Sequence, residues 1–369
     1  MFFVTDCDLI ILTKKNTMKR FLMLCAFLGT LQFSFAQTDV VEFIKAGAAD
    51  ANKLFQPYLE PYAFALGDGL NNGWYNSADT HKFLGFDFAV SASAVQVPTS
   101  ATSFDLSKIN FSSLSILSGG SIAPTIAGES ADGPTLVVKD NSGNVLASFK
   151  SPPGTGVDMV PVPMAQLTLG VLPNTDLSIR YVPKINVALD EDDIDLGMIG
   201  AGLKHNFTKS IPGLEDLPFD AAAFVGYSMI EAESTLSFTP QDYGTGITSV
   251  TFTNTDDQSL KITSSSLKYG LIVSKKLGPL TVFGSISQNM SKSTVDLLGK
   301  YPVVTALSNG DLVITDEDAL YDPIALEFEN SNLSMDAGVR LKLAFFSIFG
   351  SVSKSQYTSF NAGVALGFR

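Results

Sequence analysis

The sequence predicts an all-β fold: an up-and-down antiparallel transmembrane β-barrel of about 10–14 strands, with an N-terminal helical, plug-like segment. Three observations carry this reading. Long stretches alternate apolar and polar residues, the connections between them are alternately short and long, and the chain opens with an export leader.

The leader comes first. From Met18 the chain reads a basic pair (Lys19, Arg20), an apolar core (Phe21 to Leu31) and then Ser34-Phe35-Ala36 before Gln37. This is the layout of a secretory signal peptide with a small-x-small cleavage site. Met18 is read as the true start, because the stretch before it sets acids ahead of the basic region. A lipoprotein anchor at Cys25 is disfavoured by Leu24, where a small residue is needed. Cleavage after Ala36 assigns residues 1–36 to the signal peptide and removes both cysteines, Cys7 and Cys25, so the mature chain has no thiol chemistry. It also removes two acids and four bases, making the formal charge of −13 two units more negative. Such a chain lacks the basic footprint of nucleic-acid binding, and no mature segment has the ~18 uncharged apolar residues of a membrane helix.

Residues 37–80 form the plug-like segment. Val40, Val41, Ile44, Ala48, Ala51, Leu54, Phe55 and Tyr58 recur at helical spacing and predict a helix over 38–58, with Pro57 near its end. The stretch after it, holding Trp74 and Tyr75 among Asn and Gly, is expected to be irregular but packed. Few bases among the acids of the helix argue against a membrane-surface anchor.

The barrel occupies residues 81–369. Strands are expected at 82–97, 164–171, 174–184, 194–208, 217–236, 259–276, 279–296, 331–343, 346–355 and 358–369, ten in all. In "NLSMDAGVRLKLAFF" (Asn332 to Phe346), Leu333, Met335, Ala337, Val339, Leu341 and Leu343 share one face, opposite Ser334, Asp336, Arg340 and Lys342. Such a strand lies half in something apolar and half in something polar. Short connections (172–176, 209–218, 276–279, 345–347) fall at one end and long ones (after Val97, 186–193, 239–259, 296–330) at the other. Residues 98–163 form a long loop or add a strand pair near 103–117 and 134–150, for twelve strands. A soluble secreted β-sandwich would also explain any single strand, but not the leader or the strand lengths.

The last stretch, "YTSFNAGVALGFR", puts Phe360, Val364, Leu366 and Phe368 on one face. It resembles the C-terminal signal read by the outer-membrane assembly machinery, with Arg369 as a one-residue departure. The mature chain also resembles a family of uncharacterised outer-membrane barrels common in Bacteroidota. The resemblance is carried by "GDGLNNGWYNSADTHKFLGFDF", "PTIAG", "TDLSIRYVPKI" and "GAGLKHNF…IPGLEDLPFDAAAFVGY". More distantly it is similar to the long-chain fatty-acid transporters of the outer membrane, which implies a lumenal plug and passive transport of a small hydrophobic ligand. That family has more strands, and its pocket residues do not match position by position. Outer-membrane lipid and lipopolysaccharide are the surroundings this implies.

Chemistry is thinly marked. His81 and His205, the only histidines, sit in no catalytic motif. There is no paired-Cys, HExxH or glycine-rich phosphate signature, so neither cofactor nor metal is expected and the protein reads as non-enzymatic. The acid runs "LDEDDID" (189–195) and "TDEDALYD" (315–322) lack calcium-loop spacing and read as solvated loops. Asp87, Arg180, Asp336, Arg340 and Lys342 are expected in the lumen, either lining a channel or anchoring the plug, with Arg340 and Lys342 as a basic pair against it. A non-transporting barrel with binding or structural loops is the other functional reading.

Overall fold

A computed structural model describes residues 48–139, 143, 145–189, 192–240, 247–253, 258–306 and 312–368. The leader, its cleavage point, helix residues 38–47, Asp190 and Glu191 of the first acid run, and Arg369 lie outside these. Helix α1 (Ala48–Leu70) is followed by ten antiparallel strands that close into a barrel. They are β1 (Phe86–Gln96), β2 (Met159–Leu172), β3 (Thr175–Leu189), β4 (Asp192–Asn206), β5 (Asp220–Leu236), β6 (Gln258–Leu277), β7 (Leu280–Leu298), β8 (Ile324–Leu343), β9 (Phe346–Lys354) and β10 (Thr358–Phe368). Each strand pairs with its sequence neighbours, and β1 closes the barrel on β10, Phe86 opposite Phe368. Closure leaves no open strand edge, the condition for a sheet in lipid.

The expected strands are all present, and the twelve-strand variant is corrected. Leu114–Ser118, Thr135–Lys139 and Val145–Lys150 form a separate three-stranded sheet in the β1–β2 loop. These stretches are too short to span, and they pack on one another.

The polarity of the wall changes along its height. On β8 the outward face from Leu343 to Leu333 is apolar and exposed, with Leu333 at 59% and Val339 at 48%. At roughly 3.3 Å per residue and a tilt of about 40°, this run is about 25 Å tall, the thickness of an outer-membrane apolar band. Above it the faces exchange character. Glu329 and Glu327 point outward, while Ile324, Leu326 and Phe328 are buried inward. On β7, Ile286 and Met290 give way outward to Lys292, and Val295 and Leu297 turn inward. The sheet therefore leaves lipid part-way up and continues into water around an apolar interior. This switch of parity is why the alternation in sequence began at 331 although β8 begins at Ile324.

Helix α1 also departs from expectation. It runs to Leu70, through Pro57 and Pro61, so the residues after 58 are helical rather than irregular. An interior proline costs about 3 kcal/mol. Packing outweighs that here, because Leu54, Phe55, Tyr58, Leu59 and Ala63 join one apolar core with Leu106, Ile126, Leu136 and Phe149 of the β1–β2 loop and with Phe328 of β8. This core covers the end of the barrel where the long loops lie, called here the loop end; the short connections define the turn end. In outer-membrane barrels the turns face the periplasm and the loops the exterior.

The height of the apolar band is open to measurement. Val339→Arg, near its middle, is expected to lower unfolding free energy in liposomes by about 2–4 kcal/mol, and Thr294→Arg, above it, by about 1 kcal/mol or less. Denaturant titration read by the heat-dependent gel shift of the folded barrel checks both; equal effects would place the band elsewhere.

Candidate functional site

The lumen is the site, and the chain's own N-terminal segment fills it at three heights. At the loop end Asn52 donates to the Pro323 carbonyl at 2.9 Å and accepts from the Ala325 N–H at 3.2 Å. Gln56 donates to the Glu327 carbonyl at 3.0 Å and Tyr62 to the Val157 carbonyl at 2.8 Å. Buried Asp50 accepts from the backbone N–H groups of Ser112, Ser113 and Leu114 at 2.7–3.1 Å. Burial pushes the Asp50 carboxyl up, but these donors, with Lys53, outweigh it and hold the group well below the usual carboxylate range.

At mid-height the helix ends on Arg180. This β3 side chain is fully buried and makes no ion pair among the described residues. Its guanidinium donates to the Leu70 carbonyl at 2.7 Å, the Asn72 carbonyl at 2.5 Å, Gln166 Oε1 at 3.0 Å and Ser228 Oγ at 3.3 Å. It thus satisfies carbonyls at the C-terminus of α1, where the helix dipole is negative. The same cation lies 3.7 Å from the centre of the Trp74 ring. Trp74 rests against Phe224 (ring centres 5.5 Å apart) and over Gly226. A Cβ at Gly226 would lie 2.8 Å from the indole, so a side chain there would displace Trp74. Across the lumen, Tyr75 donates to Asp336 Oδ2 at 2.6 Å, and Lys268 donates to the same oxygen at 2.7 Å. Asn72 donates to Ser359 at 2.6 Å.

At the turn end Arg340 donates to Asn76 Oδ1 at 3.0 Å and lies 3.5 Å from Asp87 Oδ2. Lys204 donates to the Asp79 carbonyl at 2.7 Å and pairs with buried Asp176 at 3.2 Å. Asp176 also accepts from the His81 backbone at 2.9 Å and faces its ring at 3.2 Å. Burial raises Asp79, but the Lys209 ammonium beside it holds its carboxyl below the usual range.

The structure therefore brings Asp87 and Arg340 together, sets Arg180 on Trp74, and sets Asp336 on Tyr75. Lys342 stands apart: among the described residues it makes no ion pair, and Arg340 contacts the plug without it. Phe360, Val364, Leu366 and Phe368 face outward, and the Phe368 ring stacks on Phe345 at the turn end. His205 is exposed outside the barrel beside Thr175 Oγ1 at 2.9 Å. In the second acid run Asp316 pairs with Lys300, and Asp322 accepts from the Gly299 N–H at 2.8 Å, so these acids fasten loops. No cluster of three potential metal-binding side chains occurs among the described residues.

Sequence reasoning missed Lys268, Gln166, Asp176 and Lys204. Lys268 was legible as a cation on the polar parity of β6, well inside the strand, whereas Lys276 sits at its end. Asp176 and Lys204 carry no local signal, since what pairs them is strand register. The plug is also tied unevenly. Asn289 on β7 is buried with neither amide atom partnered, and Ser266 Oγ on β6 and Asn71 Oδ1 on the plug are likewise unpartnered.

Comparison with known proteins adds the family. The model of the Family of unknown function (DUF6588) matches residues 14–368. The chain belongs to that family. A search of curated proteins returns no match. Among solved structures it is similar to the translocator domain of the autotransporter NalP from Neisseria meningitidis, at 11% identity and a TM-score of 0.28, over 88% of this chain and 99% of that one. It is also similar to the outer-membrane protease OmpT from Escherichia coli, at 8% identity and 0.30, over 79% and 100%. The P. putida toluene transporter TodX gives 8% and 0.21, over 77% and 67%. These likenesses are too distant to speak for activity.

Two expectations follow for this family member. Arg180→Met should leave the α1 carbonyls unpaired and destabilise the plug by about 2–5 kcal/mol. Trp74, the only tryptophan, reports it: emission should shift to the red and become quenchable by acrylamide, whereas unchanged emission would show that Arg180 does not hold the plug. Asp50, with its lowered carboxyl, contributes stability that is present above the unfolded value near pH ~3.9 and is lost as pH falls through the folded one. Amide exchange at Ser112–Leu114 should therefore stay slow at pH 5 and quicken about tenfold or more in Asp50→Asn at that pH.

Proposed function

We propose that the protein serves as a sealed, non-enzymatic barrel of the outer membrane whose loop-end cap presents a binding surface. The observation that supports this best is the filling of the lumen by residues 48–85, tied at the loop end, at mid-height and at the turn end. A solute path needs the plug displaced from the positions that the Arg180, Asp336 and Asp176 networks hold. Passive transport of a small hydrophobic compound, the reading favoured on sequence, would need the plug to move. What favours it as a second reading is that Asn289 and Ser266 make no bond to the plug, so among the described residues the β6–β7 side is held only through Asn71, Tyr75, Ser77, Ala78 and the Ala63 carbonyl. That side is lined by amides and hydroxyls, which suits a polar solute better than an apolar one.

Planar-bilayer recording separates the two. The wild type is expected to show no steady conductance, and a variant lacking residues 48–80 is expected to open channels. Steady wild-type channels would overturn the sealed reading in favour of transport.

A further inference from the structure

Ring closure leaves the sheet no first or last strand, but one pair of neighbours separates part-way up. From the turn end, β2 and β3 pair only as far as Gln166 opposite Arg180. Beyond that row β2 stays on β1 up to Met159, and β3 stays on β4 up to Leu189. A seam therefore opens between β2 and β3 toward the loop end. Both sides of it begin in the lipid band. Pro161 shares a row with Ala94 and with outward Phe360, and Tyr181 shares one with outward Ile199.

The sequence builds this edge. The Val97 N–H donates to the Asp158 carbonyl at 2.7 Å, and the Asn206 N–H donates to the Asn174 carbonyl at 2.9 Å. Backbone groups alternate sides along a strand, so odd-numbered residues of β2 and β3 face one another across the seam. They include Pro161, Pro163 and, where β3 bulges, Pro183. A proline has no N–H to leave unpaired, which is why strand prolines sit on free edges. The β2 edge is thus left with acceptors: among the described residues no hydrogen bond reaches the Pro161 or Pro163 carbonyl. Behind the seam the lumen is apolar. The row that holds buried Ser93 on β1 and Asn361 on β10 holds Val162 on β2. Val162 packs with Met164, Met198 and Leu70 of α1, and Val182 beside them is only partly buried.

We propose that this seam seats one acyl chain of an outer-leaflet lipopolysaccharide, whose hydroxyl or amide N–H donates to the Pro161 and Pro163 carbonyls. Hydrocarbon cannot satisfy an unpaired carbonyl, so the occupant brings its own donor. The rest of it is hydrocarbon, because the rims and the cluster behind them are apolar or aromatic. A chain that is hydroxylated, or joined through an amide, combines the two, whereas a plain ester-linked chain has no donor. Met164 and Met198 have the flexible side chains that adapt to such a guest. The guest stops against α1, so the lumen stays sealed.

The assignment rests on the membrane reading of the barrel, with the loop end outward. Native mass spectrometry of the detergent-solubilised full chain tests it. The two probes are glucosamine carrying an amide-linked β-hydroxymyristoyl chain and glucose carrying a plain myristoyl ester. One saturable adduct of the first is expected, about fivefold or more tighter than the second, the factor that one neutral hydrogen bond supplies. Pro161→Val with Pro163→Val returns two N–H donors to the edge, lets β2 pair with β3 and should abolish the adduct while keeping the gel shift of the folded barrel. Val182→Trp, which fills the seam from β3, should abolish it as well. A folded, detergent-dependent barrel that binds both probes alike, or whose adduct survives either replacement, overturns the seat alone. A chain that stays folded in solution without detergent overturns both the seat and the membrane reading.

Discussion

A buried guanidinium with no carboxylate partner among the described residues organises this molecule. Moving a charge from water into a protein interior costs several kcal/mol even after relaxation. Arg180 offsets that with four neutral acceptors, the negative end of a helix and the face of Trp74. All of these belong to, or touch, the point where α1 stops and the chain turns toward β1. The arrangement works in one register only. With α1 shifted by one residue, the Leu70 and Asn72 carbonyls would leave the fork of the guanidinium, and the cost of burying it would stand uncompensated. Arg180 therefore does more than anchor the plug, since it also sets how far the helix reaches. That depth in turn places Tyr75 on Asp336 and Asn76 on Arg340.

The second constraint is the change of solvent along the wall. A barrel in lipid needs an apolar exterior and tolerates a polar interior; in water the requirement reverses. Here both regimes occur along single strands. The inward Ser and Asn of the lower wall give way to Val295, Leu297, Ile324, Leu326 and Phe328, where the loops and α1 supply an ordinary hydrophobic core. That core helps the helix endure Pro57 and Pro61. The protein is in effect a membrane barrel below and a small soluble domain above, built on one continuous sheet.

Legibility in sequence followed the same division. Within the lipid band, alternation of period two is forced on every strand, and the strand set and its turns could be read directly. Arg180 and Asp336 stood out because a charge on the polar parity of a spanning strand has few other places to go. Above the band the parity reverses, so the start of β8 at Ile324 was hidden until the reversal itself was visible. The length of α1 was hidden for a different reason. Two prolines argue locally for a break, and only packing against residues far away in the chain, such as Ile126 and Phe328, outweighs them. The pairing of Asp176 with Lys204 depends on the β3–β4 register and has no signature in either strand alone.

The unevenness of the plug's attachment follows from this construction. The wall of β2 to β4 presents charged and amide groups with partners on the plug: Gln166, Arg180, Asp176 and Lys204. The wall of β6 and β7 presents mostly short hydroxyls, with Ser291 so close to α1 that only a glycine, Gly67, fits opposite it. Ser274 and Ser285 bond Ala78 and Tyr75 of the plug, whereas Asn289 and Ser266 are buried with no protein partner among the described residues. Evolution of a permanent seal alone would be expected to replace such groups with apolar ones of the same size, as the loop-end half of the same strands does. Their presence in the half that faces the plug is the feature a sealed-barrel account has most to explain. It makes the β6–β7 face the place where any movement of the plug would begin.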